Sequence, residues 1–273
     1  MKTAGFFSFL LFAAVLIAIV PACKNGAPEE EEGTEAFPSD TAETTRTYTL
    51  SPFSPSVQFP DASIDKMTFK KGRFDFSIGG KAYKLGVQTT DAPQKMCSNS
   101  ADGQHIHVIV DSNPYDAKYV SSFDYQIPDG EHYVLAFLSR SYHESIKTDK
   151  AFKAVKVNVT NNSFVSEEPV TGPMLFYSRP KGTYVGKDET GKVMLDFYTV
   201  NAPLGADYKV KVEINAEQTI ILDTWQPYYI EGLPMGDNKI KLTLIDKEGN
   251  PVDVPHNPVE RVFTLSEDPL ENQ

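Results

Sequence analysis

The sequence predicts an all-β fold, built as two tandem antiparallel sandwiches that follow an acidic tether. Three observations predict it. Short runs rich in β-branched and aromatic residues recur from about Tyr48 to the end, among them "RFDFSI" (Arg73–Ile78), "HIHVIV" (His105–Val110), "YVLAFL" (Tyr133–Leu138) and "YKVKVEI" (Tyr208–Ile214). Clusters of Gly, Pro, Asn and Asp separate these runs, and no useful length of chain shows a helical period, the pattern of immunoglobulin-like or fibronectin-type sandwiches. The third observation is an internal repeat. "QHIHVIVDSNPY…IPDGEHYVLAFLSR" lies over "YKVKVEINAEQT…LPMGDNKIKLTLID". Ile106, Val108 and Val110 then fall on Val210, Val212 and Ile214, and Val134, Ala136 and Leu138 fall on Ile240, Leu242 and Leu244.

The chain has 273 residues and opens on Lys2 followed by an apolar run, Phe6 to Val20, which is the pattern of a secretory signal. Val20-Pro21-Ala22-Cys23 resembles the lipobox of bacterial lipoproteins. That resemblance implies acylation of Cys23 and anchoring through its acyl chains, each buried CH₂ contributing about 0.8 kcal/mol. With Cys23 acylated, Cys97 is the only thiol left, so no intrachain disulfide forms and the core alone must hold the fold. Residues 24–46 hold seven acids, two bases and few apolar side chains. Such a stretch cannot bury enough surface to offset its ordering entropy and reads as a disordered, self-repelling tether. The expected organisation is therefore signal peptide 1–22, tether 23–46, first sandwich 47–165 and second sandwich 166–273, with "SFVSEEPVTGP" joining the two.

The formal charge is −11, and the folded part is acidic as well as the tether. This excludes nucleic acid as a partner, because phosphate binding needs a basic surface. Partners left open are the membrane, through the lipid anchor, and a protein, peptide or glycan. No nucleophile elbow, H-E-x-x-H, phosphate loop, dinucleotide-binding glycines or EF-hand loop is present, so the expectation is a non-enzymatic protein.

Four of the five histidines, His105, His107, His132 and His143, lie within 39 residues. All belong to the first copy of the repeat. The second copy has Lys209 and Lys211 where the first has His105 and His107, Asn238 opposite His132, and about Gly249 opposite His143. Packing of this fold therefore does not require the imidazoles. Alternate residues of a strand share a face, about 6.5–7 Å apart at Cα, so His105 and His107 can converge on one ion from the outer face. Imidazole suits zinc or copper. Cys97, with Met96 beside it, precedes His105 by eight residues and is a candidate soft ligand that would favour copper. His132 has the parity of the core-facing residues, so a four-histidine site requires convergence at the rim of the sandwich. Three roles stay open for the cluster: ligands to one copper or zinc ion, hydrogen-bonding residues that order the loops, or direct contacts to a bound molecule. A second candidate patch for a partner combines Arg179 and Lys181 of "YSRPKGTYVG" with Trp225 and Tyr228 of "DTWQPYYIEGLP".

"GQHIHVIVD", "IPDGEHYVLAFLSRSYHESIK", "YSRPKGTYVGKD" and "DTWQPYYIEGLP" together resemble a family of Bacteroidota-type lipoproteins carried under the label phosphopeptide-binding protein. The H-x-H, Asp, P-x-G-x-H and His layout also resembles a bacterial single-domain family of unassigned function. The resemblance implies a tethered outer-membrane lipoprotein at the cell surface or periplasmic face. Phosphopeptide recognition normally uses an arginine cluster, and Arg140, Arg179 and Lys181 are the available cations.

Overall fold

A computed structural model describes residues 46–95 and 97–267; the signal peptide, Cys23, nearly all of the tether and Met96 lie outside the described residues. The strands in chain order are β1 (Thr49–Pro52), β2 (Ser63–Lys70), β3 (Arg73–Gly79), β4 (His105–Val110), β5 (Asp116–Lys118), β6 (Ser122–Asp124), β7 (Gly130–Ser139), β8 (Phe152–Thr160) and β9 (Ser163–Pro169). They continue with β10 (Met174–Arg179), β11 (Gly182–Val185), β12 (Val193–Val200), β13 (Tyr208–Ile214), β14 (Gln218–Leu222), β15 (Tyr228–Glu231), β16 (Gly236–Asp246) and β17 (Val259–Ser266). No helix among the described residues is long and apolar enough to cross a membrane.

The fold is all-β, built of largely antiparallel sheets packed face to face. In the first sandwich a sheet ordered β2-β3-β6 faces a sheet ordered β5-β4-β7-β8-β9. Phe69, Phe74 and Phe123 from one sheet meet Ile106, Val108, Ala136 and Val157 from the other in one core. In the second sandwich β1-β15-β12-β10 faces β11-β17-β16-β13-β14, around Leu195, Phe197, Val212, Leu242 and Phe263. Pairing is antiparallel throughout except for β11 with β17. Two features of the chain's path differ from the sequence expectation. Thr49–Pro52 pairs with Tyr228–Glu231, so the first strand completes the second sandwich, not the first. The stretch read as a connector is largely strand β9, which pairs with β8.

The repeat is visible in the register. Ile106, Val108 and Val110 pair with Leu138, Ala136 and Val134, as Val210, Val212 and Ile214 pair with Leu244, Leu242 and Ile240. The two copies differ on the other face. In β13 the residues between the core positions are partly exposed, and Lys211 pairs with Glu213 at 3.3 Å. In β4 every residue is buried. Residues Ile109, Leu135 and Phe137, on the outer face of β4 and β7, pack against Met174, Phe176, Tyr198 and Val200, on the outer face of β10 and β12. This third core joins the sandwiches, and the described residues from 46 to 267 belong to one compact unit. A strand covered on both faces has no reason to alternate, which accounts for the continuous burial of β10 and β12 as well.

Candidate metal centre

Three of the four predicted histidines meet at the edge of this third core. His105 and His107 project from the outer face of β4, and both are 0% exposed. The sequence reading placed that face outward; the structure closes it with the second sandwich. His143 reaches them from the loop between β7 and β8. The Nε2 atoms of His105 and His107 are 2.8 Å apart, and His143 Nδ1 lies 3.0 Å from the first and 3.4 Å from the second. Among the described residues no carboxylate or thiol joins these three nitrogens at comparable distance.

Each ring is held by its own surroundings. His105 Nδ1 lies 2.8 Å from the Gly103 carbonyl oxygen. A carbonyl only accepts, so Nδ1 carries the proton and Nε2 presents a lone pair. The Tyr115 ring stacks on His107 with centroids 3.7 Å apart and planes 9° apart, while Phe137 packs edge-on at 4.9 Å. His107 Nδ1 is buried without a hydrogen-bond partner. The Tyr115 hydroxyl lies 3.3 Å from His143 Nδ1. With Nδ1 of His105 protonated, its Nε2 can accept a proton from His107 Nε2 or His143 Nδ1. An ion at the centre would take the place of that proton.

The loop that presents His143 is fixed from both sandwiches. His143 N donates to Arg140 O at 2.9 Å, and Arg140 N to Glu144 O at 2.9 Å. Ser141 and Thr89 exchange backbone-to-hydroxyl bonds. Ser145 N donates to Asp196 of β12 at 2.9 Å, where Lys147 also binds. His143 itself sits at φ 68°, in the left-handed region. Gly249 occupies the matching turn of the second copy at φ 89°, with the same backbone bonds from Gly249 to Asp246 and from Asp246 to Asn250. A side chain in that conformation costs about 1 kcal/mol or more where glycine would cost none. At this turn the first copy therefore carries a side chain where the second has glycine.

Burial sets the electrostatics. It pushes the His105 imidazole down to about 4 and holds His107 and His143 well below the usual histidine range. All three are neutral near pH 7, the protonation state a metal requires. The three ring nitrogens converge closely enough to hold one ion, and the set fits imidazole-binding ions.

His132 stands apart from the cluster. Its Nδ1 bonds Asp111 at 2.7 Å and its Nε2 bonds the Pro128 carbonyl at 3.0 Å. Both ring nitrogens are engaged by oxygens at its own strand end, outside the three-nitrogen group, and the parity conflict is resolved by leaving His132 at the start of β7. Cys97 also lies outside the three-nitrogen group. Its Sγ is 3.9 Å from the Tyr142 carbonyl oxygen, and it packs against Phe53, Tyr142, Met194 and Tyr229. The four residues of the second candidate patch do not gather on one exposed surface. Arg179 and Tyr228 are buried, and Trp225 donates Nε1–H to Phe197 O at 3.0 Å while packing edge-on against Tyr198. Arg179 and Lys181 instead stand behind Tyr115 beside the triad: Lys181 Nζ is 3.9 Å from the Tyr115 ring centre and the Arg179 guanidinium carbon 5.8 Å. Sequence reasoning missed Tyr115 as part of the site. The tight "DSNPY" turn that returns Tyr115 beside β4 was the available signal.

No protein-family model matches the chain, and no curated protein matches it. Among solved structures, the fibronectin(III)-like modules of Clostridium thermocellum CbhA are similar, with 9% identity, 82% of this chain and 98% of that chain covered, and a TM-score of 0.28. The selenomethionine-substituted chicken interferon gamma receptor alpha chain is similar with 8% identity, 74% and 97% coverage, and a TM-score of 0.21.

Proposed function

We propose that the protein is a non-enzymatic, lipid-anchored binding protein of the bacterial outer membrane that holds one copper or zinc ion through His105, His107 and His143. The observation that carries the metal reading is the convergence of three neutral ring nitrogens within 2.8–3.4 Å of one another. Bonds of about 2.0–2.1 Å from one ion to each nitrogen would place the nitrogens only slightly farther apart than this. Two facts add support. The sister copy has Lys209, Lys211 and Gly249 at the matching positions, so the strand pairing that the two copies share does not itself call for imidazole there. His143 keeps a left-handed backbone, which favours glycine, where the matching turn has Gly249. Anchoring rests on the lipobox resemblance around Cys23, and the acidic tether would hold the sandwiches away from the bilayer.

Elemental analysis of the purified, untagged protein tests the reading. About one equivalent of copper or zinc is expected, and the His105→Ala/His107→Ala variant should contain none. A protein that stays metal-free, with a melting temperature unmoved by added copper or zinc, would reject it.

A further inference from the structure

Resting on that metal reading, the geometry points to a site that selects monovalent copper over divalent ions, with Arg179 and Lys181 as the residues that impose the selection. The argument begins with ligand number. Three imidazoles converge, and no carboxylate or thiolate joins them among the described residues. The Tyr115 hydroxyl lies 3.3 Å from His143 Nδ1 and offers a phenol oxygen, not a carboxylate or thiolate. Zinc held by three histidines still needs a water or another donor in a fourth position. Copper(I), a closed-shell ion of low charge, is satisfied by three.

Charge decides in the same direction. Arg179 is buried, donates from Nη1 to the Tyr184 hydroxyl at 2.7 Å, and leaves Nε without a partner. No carboxylate pairs with it among the described residues. Lys181 Nζ donates to the Tyr115 carbonyl at 2.5 Å and lies 3.9 Å from the centre of the ring that stacks on His107. Both cations therefore stand on the Tyr115 ring, which stacks directly on His107 of the triad. Repulsion from a fixed charge grows in proportion to the charge of the ion, and the cost of stripping an ion of water grows faster still. A divalent ion therefore meets at least twice the opposition that copper(I) meets, with no anionic ligand to offset it.

The test uses the full-length chain in detergent, freed of metal and kept anaerobic with ascorbate. Copper(I) is titrated against bathocuproine disulfonate, and zinc against a chromogenic chelator. One equivalent of copper(I) should bind, with zinc weaker by about 100-fold or more. Lys181→Met, a change at a partly exposed side chain that leaves the core intact, should tighten zinc by about tenfold and leave copper(I) little changed. Arg179→Met should act in the same sense where it folds. Zinc binding as tight as copper(I), zinc affinity unmoved in Lys181→Met, or tight zinc binding that depends on added chloride or phosphate would each overturn the selection while leaving the metal site standing. Failure to bind either ion would remove the metal reading and this inference with it.

Discussion

His132 and Asn238 occupy the same place in the two sandwiches and make the same pair of contacts. His132 bonds Asp111 and the Pro128 carbonyl; Asn238 bonds Asn215 at 2.9 Å and the Pro234 carbonyl at 2.8 Å. Asp111 and Asn215 both take positive φ, 56° and 52°. Their side-chain oxygens accept from Tyr133 N and Lys239 N, at 2.9 and 2.7 Å. Each pair closes the end of a β-strand against its neighbour, and in the first copy histidine does the work of an amide.

Exchanging the first pair for the second should therefore be tolerated. The double variant Asp111→Asn/His132→Asn is expected to stay within about 1 kcal/mol of the parent by chemical denaturation, whereas His132→Ala alone loses about 1–3 kcal/mol by stranding Asp111. Neither change should alter metal content. Loss of metal in His132→Ala, with the fold intact, would return His132 to the ligand set.

His143 supplies the converse case, a side chain kept where stability would prefer none. His143→Gly restores the residue type of the matching turn and removes the left-handed strain. The metal-free variant should be as stable as the parent or more stable by about 1 kcal/mol, while metal affinity falls by more than about tenfold. A drop in metal-free melting temperature of several degrees would show that the imidazole serves the loop and not an ion.

How much of this was legible in the sequence follows from which forces are local. Alternation of apolar residues in β13 and β4 gave the core face of both copies, because side-chain direction along a strand is fixed by the pleat. The same logic put His105 and His107 together on the opposite face, and the structure keeps them there. What alternation cannot encode is what covers that face. The burial of His105, His107 and Arg179 depends on the second sandwich docking onto the first through Phe176 and Tyr198. A trace of this was present: Leu135 and Phe137 share the outer parity of β7, and a strand apolar on both parities is covered on both sides. The placement of Thr49–Pro52 in the far sandwich was not legible, since four edge residues carry no pattern that names their partner. His132 was separable by parity alone, and Tyr115 and Lys181 become part of the site only through the turn and the docking.

Cys97 gives a chemical readout of the packing beside the site. Burial pushes its thiol pKa up to about 12. The thiolate is the nucleophile, so at pH 8 alkylation in a Cys23→Ser chain should run on the order of a thousandfold slower than for a free cysteine. The sign follows from desolvation, which disfavours the charged form. The rate should then rise about tenfold per pH unit from pH 7 to 10 without levelling. A rate matching free cysteine at pH 8 would show that the 88–100 loop opens, and would bring the sulfur back into consideration as a ligand.

The shared core between the sandwiches makes a prediction about cooperativity. Ile109, Leu135 and Phe137 of one sandwich and Met174, Phe176, Tyr198 and Val200 of the other are almost wholly removed from solvent. Neither half can unfold without exposing aromatic surface of its partner, so calorimetry should record one transition for the parent protein. Phe176→Ala deletes a large ring from the middle of that contact and is expected to lower stability by about 3–5 kcal/mol. Because Phe176 faces the junction and not the second sandwich's own core, the loss should fall on the coupling, and the single transition should separate into two. It should also weaken metal retention, since the second sandwich covers the outer face of β4. Two transitions already present in the parent, or a variant that keeps one sharp transition and full metal content, would mean that each sandwich closes its own site without help from the other.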